Sequence, residues 1–237
     1  MIQRRRGKGT SRFRSPGHRF IGAISIRQYD NIEKTGAAKG VVKELYIDVG
    51  KNAPMLKVIF NNKDTCLYPA PFGIVEGSTV ESGINSAIKD GNILPLGKIP
   101  DGTNIYCIEQ HPGTGPLFVR TSGSSAKILS HDVNGVTVQM PSKKTVVFQA
   151  DCRAIVGKIS GSGRKEKPFV KASAKRFAKF ARNKFHARVK GTVMNAGVHP
   201  HGGGQRRRRK NYSVSHNAPP GAKVGSISPR RTGRRNK

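Results

Sequence analysis

The residues best equipped for chemistry lie between Gly191 and Lys210. The run reads Gly-Thr-Val-Met-Asn-Ala-Gly-Val-His-Pro-His-Gly-Gly-Gly-Gln-Arg-Arg-Arg-Arg-Lys. An imidazole titrates near neutrality, so His199 or His201 has the right chemistry for a general base or a metal ligand. Proton transfer needs an orienting partner, and Val198 beside His199 supplies no carboxylate. Two histidines separated by one proline do not converge on one ion, and the next histidine, His216, is distant, which argues against a metal. The better use of both rings is hydrogen bonding or stacking on RNA. Gly202, Gly203 and Gly204 remove every side chain from three successive positions, which permits positive φ and close approach of another backbone. Four arginines follow at once. A phosphate-cradling loop would need a Gly-Lys-Ser/Thr sequence between a strand and a helix, and neither context is present. The plain alternative is a flexible linker before a basic tail.

Other unusual segments are His111-Pro-Gly-Thr-Gly-Pro116 and Arg120-Thr-Ser-Gly-Ser-Ser125. Both read as turns between strands. Enzyme signatures are missing: the chain has no Gly-x-Ser-x-Gly, no His-Glu-x-x-His and no Walker loop. Cys66, Cys107 and Cys152 are odd in number and widely spaced. They fit free buried thiols in a reducing compartment, and the lack of a Cys-x-x-Cys pair excludes a zinc ribbon.

The elements that would position these residues are mostly strands. Val41–Asp48 is rich in β-branched and aromatic residues. Pro54–Phe60 and Thr65–Tyr68 flank an Asn-Asn-Lys-Asp turn. Short runs follow at Gly73–Glu76, Asn104–Ile108, Leu117–Arg120, Ala126–Ser130, Gly135–Met140 and Thr145–Phe148. Strands this short, at this spacing, predict small barrels or sandwiches. Gly91–Gly97, with Pro95 and Pro100, reads as a break between two units of about 60 residues, small but able to fold. One helix is predicted, from Lys171 to Arg188, with Ala174, Phe177, Ala178, Ala181 and Phe185 on one face. Lys171, Lys175, Lys179 and Arg182 line a neighbouring face. No acid interleaves them to form i, i+4 pairs, so the face suits phosphates better than solvent.

Charge decides the class of partner. The 237 residues carry 44 Lys+Arg against 13 Asp+Glu, a net charge of +31, and 35% are hydrophobic. The first 20 residues hold seven Lys/Arg and no acid, and residues 153–237 hold 24 Lys/Arg and one acid, Glu166. Between them, thirteen cations nearly balance twelve acids. A near-neutral body thus carries two cationic extensions that lack the apolar residues to offset chain entropy. They are expected to order only on a polyanion, and nucleic acid is the natural one. No apolar stretch approaches the roughly 20 residues of a membrane span, and the basic N-terminus lacks the apolar run of a secretory signal.

Four segments together resemble a known family. They are Gly191–Gly204, Asn92-Ile-Leu-Pro-Leu-Gly-Lys-Ile-Pro-Asp-Gly-Thr103, Ile108-Glu-Gln-His-Pro-Gly113 and Cys152-Arg-Ala-Ile-Val-Gly157. Their order, and the His-Pro-x-Gly-Gly-Gly element above all, is similar to the universally distributed second protein of the large ribosomal subunit in its archaeal and eukaryote-like form. The resemblance covers almost the whole chain. It implies an all-β body: an oligonucleotide-binding (OB)-type barrel followed by an SH3-like barrel, with long basic terminal extensions and one helix in the C-terminal part. On that reading residues 1–35 are the N-terminal extension, 36–95 the OB-like barrel, 96–167 the SH3-like barrel, and 168–237 the basic helix and RNA-threading extension. It further implies a cytoplasmic, non-enzymatic constituent of the large subunit, with roles in assembly, subunit joining and the architecture around the peptidyl transferase region. Partners would be large-subunit rRNA, neighbouring proteins and the small subunit, with no cofactor and no metal. His199 falls where a histidine of the family was once considered for catalysis. The family commonly has Asp where Val198 stands, and often Asp where Thr114 stands.

Candidate RNA contacts follow from both readings. In the first extension they are Arg4, Arg5, Arg6, Lys8, Arg12, Arg14 and Arg19. In the body they are Arg120 and Arg153. Along the helix and after it they are Lys171, Lys175, Lys179, Arg182, Lys190, Asn195, His199, His201, Gly202, Gly203 and Gly204. The tail adds Arg206, Arg207, Arg208, Arg209, Lys210, Arg230 and Arg231. Arginine suits this work because its planar fork binds phosphate bidentately and stacks on bases. Two rival functions share some of these features. A nonspecific DNA-compacting or RNA-chaperone protein shares the charge but needs no defined loops. An acyl-transfer enzyme using His199 lacks the carboxylate partner.

Overall fold

The computed structural model describes residues 14–164, 166–184, 186–187, 189–199, 201–203 and 217–219. The chain forms two compact units, one spanning Gly17–Pro168 and the other built from the two terminal segments outside it.

The Gly17–Pro168 unit is all-β in character. Its strands are β1 (Ala37–Tyr46), β2 (Met55–Phe60), β3 (Thr65–Pro69), β4 (Thr79–Gly83), β5 (Ile93–Pro95), β6 (Asn104–Tyr106), β7 (Ile108–Glu109), β8 (Pro116–Phe118), β9 (Ala126–Asp132), β10 (Gly135–Gln139), β11 (Thr145–Phe148) and β12 (Arg153–Val156). Ten of them form one sheet in the order β11-β10-β9-β6-β12-β5-β4-β1-β2-β3, and β7 and β8 form a separate hairpin. Neighbours are antiparallel except β4 and β5, which run parallel with Ser82 opposite Ile93. Gly40 of β1 faces inward, where a Cβ would lie 2.8 Å from Val58 Cγ1 and 2.9 Å from Phe60 Cδ1. Only the missing side chain lets β1 lie this close over β2. Among the described residues no helix is long and apolar enough to cross a membrane.

Two apolar cores sit on opposite faces of the central strands. Because side chains alternate along a strand, Ile93, Tyr106 and Ile155 enter one core while their neighbours Leu94, Ile105 and Val156 enter the other. The first core is completed by Val42, Leu56, Val58, Phe60, Tyr68 and Val80. The second is completed by Leu96, Ile99, Ile128, Val136, Val138 and Phe148. Strands β5, β6 and β12 are therefore buried on both faces, as central strands are. The segment that reads as a break, Gly91–Gly97, holds β5, with all three of its residues buried. Its flanking glycine and prolines disguise a strand only three residues long. Gly73–Glu76, which reads as a strand, is instead part of a turn; Glu76 there accepts a hydrogen bond from the Leu45 amide (2.8 Å).

All three cysteines are buried free thiols. Burial pushes Cys66 and Cys107 up to about 12 and Cys152 up to about 11, so none is a thiolate at neutral pH.

Residues 17–35 read in the sequence as part of an extension, yet they pack into the body. Ser25 bridges to Leu67 through a pair of backbone hydrogen bonds (2.7 and 3.2 Å). A short helix, Asn31–Thr35, is capped by Asp30, whose carboxylate accepts from the Glu33 amide (3.1 Å). The fastening is ionic. Arg153 donates to Glu109 through Nη2 (2.7 Å) and Nε (3.1 Å), and through Nη1 to Glu33 and to the Arg27 carbonyl (both 2.7 Å). Glu33 also accepts from the Ser82 hydroxyl (2.6 Å) and faces Arg27 at 3.3 Å. Arg27 in turn forks onto Asp30. The Tyr29 ring lies 4.9 Å from the Arg153 guanidinium carbon. Arg153 is 2% exposed and Glu33 and Glu109 are equally enclosed. Burial works against the Arg153 charge, and the Glu109 and Glu33 carboxylates outweigh it, raising its pKa. The expectation that Arg153 contacts RNA is corrected: the side chain is buried and all three guanidinium nitrogens donate inside the body. Glu109, unremarked in the sequence, also accepts from the amides of Gly113 (3.2 Å) and Gly115 (2.9 Å) and so orders the His111–Pro116 loop.

Candidate nucleic-acid interface

The histidine–glycine segment closes on itself. A 3-10 turn, Gly191–Val193, leads into Met194, and the chain then folds back. The Val198 and His199 amides donate to the Asn195 carbonyl (3.0 and 3.2 Å), Gly202 donates to the His199 carbonyl (2.9 Å), and Gly203 donates to the Met194 carbonyl (3.0 Å). A Cβ on Gly202 would stand 2.3 Å from the Asn195 carbonyl oxygen. Gly203 has φ +77° and lies against Ala196. A Cβ on Gly191 would meet the His199 ring at 2.2 Å, so the imidazole packs directly on the Gly191 backbone. Glycine is required here by the chain's own closure. Gly203 takes the positive φ, and Gly202 the close approach of another backbone, that the sequence leads one to expect; the backbone that comes close is the chain's own. Gly204 lies outside the described residues.

His199 Nδ1 accepts a hydrogen bond from the His201 backbone amide (3.1 Å), and the two rings meet edge to face with centroids 5.2 Å apart. A neutral imidazole that accepts at Nδ1 carries its proton on Nε2. A general base of the triad type needs the reverse tautomer, with Nδ1–H donated to a carboxylate. The geometry therefore places the proton of the neutral ring on Nε2. Among the described residues no three of His, Cys, Asp and Glu gather as metal ligands.

The basic helix is shorter than its pattern: it spans Ala172–Phe180, with Lys171 at its N-cap and Ala181 at its C-cap. The predicted continuation to Arg188 is corrected. Asn183 takes φ +51°, which breaks the helical path, and its side chain donates to the Arg14 carbonyl (2.9 Å). The start of the helix lacks the usual stabilisers: no side chain caps it and its first turn has no acid. Lys171 at the N-cap, Lys175 and Lys179 follow one turn apart, the first two exposed and Lys179 half-buried. Phe177 and Phe180 are 69% and 76% exposed. Arg182 follows in the turn after the helix, and Lys190 and Asn195 flank the Gly191 turn. Phe185 and Arg188 lie outside the described residues.

Among the remaining candidates, Arg14 and Arg19 are exposed, Arg19 in a 3-10 turn, Gly17–Arg19. Arg120 is exposed on the body. Arg4, Arg5, Arg6, Lys8, Arg12, Arg206, Arg207, Arg208, Arg209, Lys210, Arg230 and Arg231 lie outside the described residues.

A family model described as the C-terminal domain of ribosomal proteins L2 matches residues 89–221. The chain is 45% identical to the large ribosomal subunit protein uL2 of Methanothermobacter thermautotrophicus, over 99% of this chain and 98% of that protein. It is 45% identical to the uL2 protein of Methanococcus maripaludis strain C6, with the same coverage. It is 43% identical to that of Methanosphaera stadtmanae, again over 99% and 98%.

Proposed function

The chain belongs to the ribosomal protein L2 family, and from that premise we propose that it is a non-enzymatic structural constituent of the large ribosomal subunit that binds rRNA. One observation carries the reading beyond the family: a nearly neutral β body joined to segments holding 24 cations against a single acid after residue 152. Such a charge split destabilises a free compact chain and suits one laid along phosphates. The two cores fit an OB-type barrel and an SH3-like barrel that share β5, β6 and β12 as a common wall. The cationic face of the helix and the closed histidine–glycine loop would contact RNA. The extensions would reach into the subunit toward the peptidyl transferase region, where the chemistry belongs to RNA, and the body would support assembly and contact with the small subunit.

Sedimentation of a native lysate tests this directly. The chain should co-migrate with large subunits at moderate salt and stay with them after the subunits are separated. Its recovery at the top of the gradient, or with DNA, would contradict the reading and favour the compacting-protein alternative.

A further inference from the structure

The edge of a sheet presents a row of unpaired N–H and C=O groups that another strand can take up, and proteins cover such edges or blunt them. The ten-stranded sheet ends on β3 at one side and on β11 at the other. The chain covers β3 itself, since Ser25 lies along it and exchanges backbone hydrogen bonds with Leu67 (2.7 and 3.2 Å). Among the described residues nothing covers β11 in the same way. Lys143, Lys144, Thr145, Val146 and Val147 are all exposed, the two valines at 40% and 57%.

Register decides which backbone groups are open. At the turn joining β10 to β11 the Met140 amide donates to the Lys144 carbonyl (2.8 Å), so these two residues form a hydrogen-bonded pair. Bonded and non-bonded pairs alternate along antiparallel strands. Val146 opposite Val138 and Phe148 opposite Val136 are therefore bonded to β10, whereas Thr145 opposite Gln139 and Val147 opposite Thr137 are not. The N–H and C=O groups of Thr145 and Val147 point away from the sheet, at the two-residue spacing that an added strand reads. Side chains point to alternate faces, so Val146 lies on the side of Phe148, a member of the second core, and Val147 on the other side. A strand laid alongside would cover both valines. Lys143 and Lys144 stand at the start of β11, and neither pairs with a carboxylate among the described residues.

We propose that β11 takes an extended segment of another protein of the large subunit as an added strand, with an acidic residue beside Lys143 or Lys144 and adjoining apolar residues over Val146 and Val147. Charge selects this occupant. The chain's own terminal segments are poor candidates: the first 20 residues hold no acid and residues 153–237 hold one. A second copy would bring another +31 against this one. RNA would meet the two lysines but would leave the valines and the outward carbonyls without matched partners. The proposal rests on the large-subunit reading above.

Amide hydrogen exchange on the full chain and on the assembled large subunit tests it. In the full chain alone, the Thr145 and Val147 amides should exchange fast while those of Val146 and Phe148 are protected. In the subunit, Thr145 and Val147 should slow by at least about tenfold, as for a hydrogen bond gained. Carbodiimide coupling of native subunits should join Lys143 or Lys144 to an Asp or Glu of a neighbouring protein, and the amides around that acid should be slowed too. Val147→Pro removes one outward N–H and leaves the bonds to β10 in place, as edge strands allow. It should lose the coupling, and Val147→Thr should keep it. The exchange measurement needs no variant, so it decides the matter even where the proline variant fails to fold. Thr145 and Val147 amides that exchange as fast in the subunit as in the chain alone would overturn the added strand by itself. So would coupling only to a second copy, or an ultraviolet cross-link from residues 143–148 to RNA. A chain that does not sediment with large subunits would overturn the ribosomal reading and this proposal with it.

Discussion

Replacing Arg153 with alanine would leave the Glu33 and Glu109 carboxylates enclosed without the guanidinium that joins them. Removing one member of a buried ionic cluster typically costs about 3–5 kcal/mol. Urea unfolding of Arg153→Ala should show a loss of that order, while the salt slope of RNA binding stays as in the wild type. A flattened slope with unchanged stability would instead put Arg153 on phosphate. At the surface, His131 offers a pH test. Its Nε2 meets the Leu96 carbonyl (3.1 Å) and its Nδ1 meets Asp101 (2.7 Å), and only the protonated ring can donate to both. The Leu96 carbonyl, and then Asp101, raise its pKa above 6.5 against the opposing effect of partial burial. A raised folded value means that the contribution is fully present below 6.5 and is lost as pH rises through the folded value. An NMR titration of the ring should give a midpoint above 6.5, lowered by Asp101→Asn. A midpoint insensitive to that change would show the pair to be unimportant. His199→Gln keeps hydrogen-bonding reach and removes the titratable group. Assembled ribosomes carrying it should transfer peptide within a few-fold of normal, since general-base catalysis typically contributes about 10²–10⁴-fold. A fall on the order of 100-fold or more would restore a catalytic role.

The elements show how unevenly a sequence reveals a fold. β1, β2 and β3 are legible because their alternation and the Asn61–Asp64 turn follow local rules. β5 and β12 are not, because three or four residues buried on both faces carry no alternation to read. The ionic cluster is equally hidden. Arg27, Glu33, Glu109 and Arg153 include pairs far apart in sequence and look like ordinary surface charges until the sheet brings them together. The helix after Lys171 is visible in its period but not in its length, since Asn183 gives no periodic signal. Gly40 supplies the test at this scale. Gly40→Ala forces a Cβ against Val58 and Phe60 and should cost about 1–3 kcal/mol as overpacking. Gly17→Ala, with nothing within 4 Å, should be near neutral by the same thermal melt. Equal effects would mean that β1 can move away from β2 at no cost.

For the whole molecule, charge placement matters more than any single contact. The body is near neutrality, while the 24 cations after residue 152, of which Arg153 is paired inside the body, face a single acid in the same stretch. Binding to large-subunit rRNA should weaken on the order of 10³–10⁵-fold between 50 and 200 mM salt if about 6–10 phosphates are engaged. Deleting residues 206–237 should flatten that dependence, and an unchanged slope would assign the phosphate contacts to the body. Charge alone does not separate a ribosomal constituent from a protein that coats any nucleic acid; defined loops and grooves do. Hydroxyl-radical footprinting of the full chain on intact large-subunit rRNA measures that difference most directly. The account predicts strong protection confined to one set of nucleotides that are neighbours in the folded RNA, retained under excess competitor RNA. Weak protection spread along the whole molecule, and erased by competitor, would contradict it.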